Sequence, residues 1–249
     1  MNFETFLPNL AKIWSEYWQV FLLEGLVVTL EFTAIAVCIG VLLGMVVAIL
    51  KMSKHKLVRF LISIYIEVLR GTPILLQLYL FVFALPQLLS FLKFSNFVWV
   101  AIALSINSSA YVSEVIRSGI QAVDKGQTEA ARSLGLSSRQ TMLRIVLPQA
   151  IKNILPALGN EFIMMLKETS LASTFYIGDL MTSYRKINGA TYLAMEPLLI
   201  VGLIYLCVTF PLSKLVGWFE KRMSTDKSYK KHNRSRKYKI AAGLAGKGK

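Results

Sequence analysis

The stretch FTAIAVCIGVLLGMVVAIL, residues 32–50, holds no charged side chain in nineteen positions. Together with Leu26–Leu30 before it, it matches the ~20 apolar residues that carry a helix across ~30 Å of hydrocarbon. Lipid offers the backbone no water to bond, so an isolated run of this kind crosses as an α-helix. Three further runs repeat the pattern without charge: GTPILLQLYLFVFALPQLLSFL (71–92), FSNFVWVAIALSINSSAYVS (94–113) and LLIVGLIYLCVTFPLS (198–213). A fifth, IKNILPALGNEFIMML (151–166), is shorter and carries Asn153, Pro156, Asn160 and Glu161. It is predicted as a span whose polar residues face inward, because ionisable groups in membranes turn toward protein or water.

The expected fold class is an all-α integral membrane protein with five transmembrane helices, at about 22–50, 57–92, 95–118, 151–167 and 196–219. Residues 1–219 form the membrane domain, 119–150 its long inner loop, and 220–249 a basic tail. Composition agrees: hydrophobic types are 55% of the 249 residues and charged types 17%, below the roughly 25% of soluble domains. Mean hydropathy is +0.53. These values exclude a disordered chain, a disulfide scaffold and an ordinary soluble enzyme. Cys38 and Cys207 fall inside apolar runs, and His55 and His232 sit among lysines, so neither a disulfide nor a metal cluster is expected. Residues 1–20 carry Glu4, Lys12 and Glu16 without a basic start, so no cleavable signal is expected.

The net charge of +14 is unevenly placed. With the N-terminus outside, the inner segments 51–59, 117–152 and 214–249 hold 22 of the 28 basic residues. The outer segments hold only Lys12, Lys93, Arg185 and Lys186. Basic residues favour the cytosolic side, so the N-terminus is predicted outside and the C-terminus in the cytosol. The tail 221–249 has eleven basic residues and one acid, and reads as a cytosolic anchor that touches anionic lipid. Nucleic acid is not expected, since only Tyr229 and Tyr238 are there to stack. Gly243–Lys249 begins a phosphate-loop spacing but lacks the Ser or Thr and a strand–helix frame.

The inner loop contains Glu129-Ala130-Ala131, then Gly135 after three residues, then Ile145-x-Leu147-Pro148 after nine more. Gln127–Leu134 has apolar positions at helical spacing, and Gly135 stands where a helix ends in a left-handed residue. Ser137 and Ser138 are placed to cap a second short helix, with Pro148 at its boundary.

This string resembles the signature loop of the membrane subunits of bacterial ATP-binding-cassette importers, with every fixed position present. The resemblance implies a type I ABC importer transmembrane domain whose coupling helix seats in a groove of a separate ATPase. Glu129, Ala130, Ala131 and Gly135 would form that docking surface. Three more stretches are similar to permeases for polar amino acids, of the histidine, glutamine, arginine and cystine branch: EVLRGTPILLQL (67–78), AYVSEVIRSGI (110–120) and NEFIMMLKETSL (160–171). Ser118 departs from the glycine expected there, and residues 221–249 have no counterpart. The resemblance further implies a cytosolic ATPase dimer that holds ATP and Mg²⁺, a second permease subunit, an extracytoplasmic solute-binding protein and a bacterial cytoplasmic membrane. This chain itself would bind no cofactor and catalyse no reaction.

An amino acid is a zwitterion, and its desolvation in lipid needs compensating partners. Two groups are candidates for substrate binding. Arg70, Gly71, Thr72 and Pro73 interrupt the second span about 20 Å from its start at 1.5 Å per residue. Pro73 lacks an N–H and disfavours helix at Thr72. The break reads equally as a site of exposed backbone or as a kink satisfied by neighbouring helices. Glu161, Lys167, Glu168, Thr169 and Ser170 form the second group. Glu161 and Glu168 share one helical face, as do Asn160 and Lys167. Lys167 would hold a carboxylate and a glutamate an ammonium, unless Lys167 is in a structural ion pair. Glu114 and Arg117 are spaced to pair with each other. Asn107, Ser108 and Ser109 line a path or bond between helices. Glu31 and Glu67 are expected to face protein. The alternatives are an ion-coupled secondary amino-acid transporter, for which no repeated halves are found, and an intramembrane enzyme, for which no nucleophile–base pair is found.

Overall fold

The computed structural model describes residues 3–223. Among them there is no strand. Helix α1 (Phe3–Gln19) runs through a π-helical turn, Val20–Leu26, into α2 (Val27–Lys51). The three make one helix of 48 residues from Glu4 to Lys51. It starts about twenty residues before the expected span, because Leu10, Ile13, Tyr17 and Phe21 continue an apolar stripe that packs on later helices.

Helix α3 (Lys56–Gly71) is followed by α4 (Ile74–Tyr79), a π turn at Leu80–Ala84 and α5 (Leu85–Leu88). The expected single span 57–92 is therefore a bent pair: the axis turns by 106° between Gly71 and Ile74. Thr72 and Pro73 are extended there, at φ −115° and ψ 148° and at φ −61° and ψ 134°. Proline restricts its predecessor in this way.

Helix α6 (Asn96–Gln121) forms the centre, and its apolar window is 67% buried. It lies along α2 on a stripe of small residues, Ala36, Gly40, Gly44 and Ala48, each four apart and all buried. A Cβ on Gly40 would meet the Ser108 Oγ at 2.5 Å, and one on Gly44 the Val112 Cγ1 at 2.7 Å. Small residues let two backbones approach this closely, the usual glue between membrane helices. Gly119 meets Ile154 in the same way on the other side of α6.

The inner loop comprises α7 (Lys125–Ser133), α8 (Ser138–Thr141) and a π turn at Met142–Val146. It leads without a break into α9 (Leu147–Glu168). Pro148 was expected to mark a boundary of the second short helix, but it lies inside this continuous helical run, at the second residue of α9. The π turn just before it bonds the Leu147 N–H to the Met142 carbonyl. A 3-10 turn (Thr169–Phe175), α10 (Leu180–Thr191) and α11 (Met195–Met223) complete the chain. Asp179 caps α10, accepting from the N–H groups of Met181 and Thr182, and the Leu180 N–H donates to Thr29 Oγ1 of α2 at 2.9 Å.

Among the described residues three helices are long and apolar enough to cross a membrane, Glu4–Lys51, Asn96–Gln121 and Met195–Met223, and the bent pair makes a fourth if it counts as one span. Helix α9 has 22 residues but is not among these. The basic tail lies mostly outside the described residues; α11 takes in its first four positions.

Candidate functional site

At the bend, the replacement of three backbone acceptors, at Val68, Leu69 and Thr72, can be followed. In an unbroken helix the Leu69 carbonyl would accept from the N–H four residues on. That residue is Pro73, which has none. The Gln77 side chain takes its place: its Nε2 donates to the Leu69 carbonyl at 2.8 Å, to the Thr72 carbonyl at 3.2 Å and to the Thr72 hydroxyl at 2.9 Å. The Thr72 hydroxyl donates back to the Val68 carbonyl at 2.7 Å. Asn107 of α6 then donates from Nδ2 to Gln77 Oε1 at 2.9 Å and to the Leu69 carbonyl at 3.4 Å. Gln77 is 5% exposed and Asn107 2%. The bend is thus a kink whose orphan carbonyls at Leu69 and Thr72 are satisfied by neighbours. Gly71 has open space around it, and Pro73 is exposed.

Arg70 ends α3 beside α6. Its guanidinium lies 5.5 Å from the Tyr111 ring centroid and 3.8 Å from the Glu114 carboxylate. Arg117 grips the same carboxylate from one helical turn on, at 2.6 Å from Nη2 and 3.0 Å from Nε, and its Nη1 donates to Gln121 at 2.7 Å. The expected Glu114–Arg117 pair is present, and Arg70 joins it. Of the other α6 candidates, Ser109 shares a hydrogen bond of 2.6 Å with Tyr65 of α3. Asn107 Oδ1 is buried without a hydrogen-bond partner among the described residues, and the buried Ser108 hydroxyl lies beside the Glu161 carboxylate of α9.

The second group divides between two faces, as its seven-residue spacing requires. Glu161 is 6% exposed and Glu168 half-buried, whereas Asn160 and Lys167 are exposed. Among the described residues Lys167 has no carboxylate within 4.0 Å. Thr169 is fully buried and its hydroxyl donates to the Leu166 carbonyl at 2.8 Å, which ties it to the end of α9. Ser170 is half-buried at the start of the 3-10 turn. Among the described residues no hydrogen bond or ion pair joins this group to Arg70–Pro73; their neighbourhoods meet at Phe175, whose ring stands 5.3 Å from that of Tyr79 of α4 and 5.8 Å from that of Phe83. Glu31 and Glu67, expected to face protein, are exposed on the surface of this chain.

The loop carries its geometry in its own sequence. Asp124 caps α7 by accepting from the Gly126 N–H at 2.7 Å. Its far end is a left-handed glycine cap: Gly135 has φ +85°, its N–H donates to the Arg132 carbonyl at 3.0 Å, and the Leu136 N–H reaches the Ala131 carbonyl at 3.2 Å. Ser137 and Gln140 then cap α8 reciprocally, at 3.2 Å and 2.8 Å. Glu129, Ala130 and Gly135 are exposed, but Ala131 is turned inward at 5% exposure and lies off their outer face. Beside α7 runs a groove of about 750 Å³, lined by Ile120, Gln121, Thr128, Arg132 and Met142 among others.

Sequence reasoning did not single out Gln77 or Tyr111 as site residues. The signal for Gln77 was its place four residues after a proline in an apolar run. The four-residue repeat from Ala36 to Ala48 likewise announced the α2–α6 seam.

A capped loop helix ending at a left-handed glycine, beneath a bundle with one broken helix, has clear relatives. Residues 40–225 match the family described as binding-protein-dependent transport system inner membrane component. The chain belongs to this family, the permease subunits of ABC importers. It is 42% identical over 206 residues to the arginine transport system permease protein ArtQ of Bacillus subtilis, covering 83% of this chain and 94% of that protein. A crystal structure of an amino acid ABC transporter with histidines is 48% identical and superimposes with a TM-score of 0.80, over 84% of this chain and 96% of that one. An inward-facing structure of the methionine ABC transporter MetNI shares only 15% identity but has a TM-score of 0.66, over 80% of this chain and 94% of that one, which shows the common fold.

Proposed function

We propose that this chain is the permease subunit of an ATP-driven importer that moves a polar or charged amino acid across a bacterial cytoplasmic membrane. The observation that carries the reading is α7: a short helix fixed at both ends, with Glu129, Ala130 and Gly135 presented outward beside an open groove. The arginine permease and the amino acid transporter among its relatives support the substrate class. Helix α9 is the fifth crossing, the N-terminus is outside, and α7 and the tail are in the cytosol. ATP and Mg²⁺ belong to a cytosolic ATPase dimer that grips α7, and a solute-binding protein delivers cargo from the other side. A second permease subunit, identical or similar, covers the exposed Glu31 and Glu67, because a bare carboxylate at membrane depth is costly. ATP binding and hydrolysis then bias a two-state bundle between outward- and inward-open forms. The amino acid meets Arg70–Pro73 and the group Glu161, Lys167, Glu168, Thr169 and Ser170.

The test is Gly135→Trp. A Cβ there meets nothing within 4 Å, the left-handed backbone disfavours any side chain by ~1–2 kcal/mol, and the indole's bulk blocks close approach. The variant should reach the membrane and fail to co-purify with the ATPase. Unchanged co-purification and ATP-driven uptake would overturn the reading. Uptake by this chain alone in proteoliposomes without ATP would favour an ion-coupled carrier instead.

A further inference from the structure

We infer that Gln77 and Asn107 are positioning residues of the translocation site: together they form the joint by which α6 sets the bend of the α3–α4 pair. The inference rests on the functional reading above, because it assigns a role within the Arg70–Pro73 candidate.

The argument begins with chemistry. A helix that stops at membrane depth leaves its last carbonyls without donors, and lipid cannot supply them. Around Pro73 three acceptors face α4, the Leu69 and Thr72 carbonyls and the Thr72 hydroxyl oxygen. All three converge on one amide nitrogen, Gln77 Nε2, at 2.8, 3.2 and 2.9 Å. A primary amide has two N–H groups, so the three contacts already share its donors. Asn107 supplies the remaining donor, to the Leu69 carbonyl and to Gln77 Oε1, and so fixes which way the Gln77 amide points. Both side chains are more than nine-tenths buried, where each unsatisfied group is costly. Gln77 stands at the first turn of α4 and reads the last turn of α3, and Asn107 ties both to the middle of α6.

Helix α6 then runs on to the loop. Glu114, two turns past Asn107, takes up Arg70 from the same bend. Gln121, at the end of α6, is bonded by Arg117 and lines the groove beside α7. One continuous helix therefore holds the bend at Asn107 and Glu114 and ends at the ATPase-facing loop. A displacement of α7 along α6 reaches the Leu69–Pro73 backbone through two side-chain links. Neither link requires Gln77 or Asn107 to touch the cargo.

Gln77→Glu tests this with little change in shape. The carboxylate keeps an acceptor for Asn107 but places oxygen against three oxygens. Asn107→Ala is the milder companion, removing one of the two donors. Both variants are purified as the assembled transporter and followed by hydrogen–deuterium exchange and by uptake in proteoliposomes. Exchange in a peptide spanning residues 68–80 should accelerate about tenfold in Gln77→Glu and less in Asn107→Ala, with α2 and α11 unaffected. The uptake KM should rise about tenfold while kcat per assembled complex stays within about twofold. A merely structural role would lower the yield of complex and leave KM unchanged. Unaltered exchange across 68–80 in both variants overturns the inference, as does acceleration spread equally over every helix. If exchange responds as expected but the parent complex moves no amino acid, the functional reading fails and the joint stands.

Discussion

Helix α6 has two kinds of neighbour, and they hold it by opposite means. Along α2 the contact is made of absences: Gly40 and Gly44 have no side chain, and Ser108 and Val112 occupy the space. Along α3 and α4 it is made of polar side chains, Asn107, Ser109 and Glu114, bonded to Gln77, Tyr65 and Arg70. The first contact is steric and has one register, since dense packing resists gradual deformation. The second is a set of directed bonds that can be broken and remade one at a time. A transporter needs both, a rigid seam to keep the bundle together and a joint at which it changes.

The largest expected effect is on the seam. Gly40→Leu would drive a side chain into Ser108, whose Cβ would stand 2.6 Å from the new Cβ. Overpacking of this kind costs about 1–3 kcal/mol or more, and here a helix backbone must also shift. The chain should be lost from the membrane fraction or emerge aggregated on size exclusion in detergent. A well-dispersed peak with the parent's melting temperature would show that the seam yields. Next comes the joint. Glu114→Gln removes the carboxylate shared by Arg70 and Arg117, whose side chains are 42% and 31% exposed. Pairs this accessible contribute about 1 kcal/mol or less. Melting should fall by only a few degrees, while uptake falls more than stability does, and equal losses in both would make the cluster a structural brace. The smallest effect belongs to the open surface of α11. A Cβ on Gly202 meets nothing within 4 Å, so Gly202→Ala should be neutral or raise stability by up to about 1 kcal/mol. A drop in melting temperature would reveal a close neighbour in the assembled transporter.

Much of this was legible in the residues, for physical reasons. Long uncharged runs have one solution in lipid, so the positions of α2, α6 and α11 followed from composition alone. The end of the loop helix was equally plain: Gly135 and Ser137 act on their own local backbone, and caps of this kind are written in a few adjacent letters, whereas the Asp124 cap at its start was not read. The bend was half legible. Pro73 announced that a helix must break, and nothing nearby in sequence said that Asn107, thirty residues past Gln77, would help to mend it. Helix α9 was the hardest, because its seven-residue pattern sorts Glu161 from Lys167 without saying what each face meets. Glu31 and Glu67 were placed against protein on the argument that lipid would not have them. The structure leaves both exposed instead, because each sits on the outward side of its helix.

The run from Glu4 to Lys51 has a consequence of scale. At 1.5 Å per residue, 48 residues measure about 72 Å, more than twice the greasy thickness available to them. The bilayer therefore solvates only part of this rod. The remainder must find other surroundings, and near its start the later helices supply them on one side: Ile13 is covered by protein while Trp14 and Trp18 look outward.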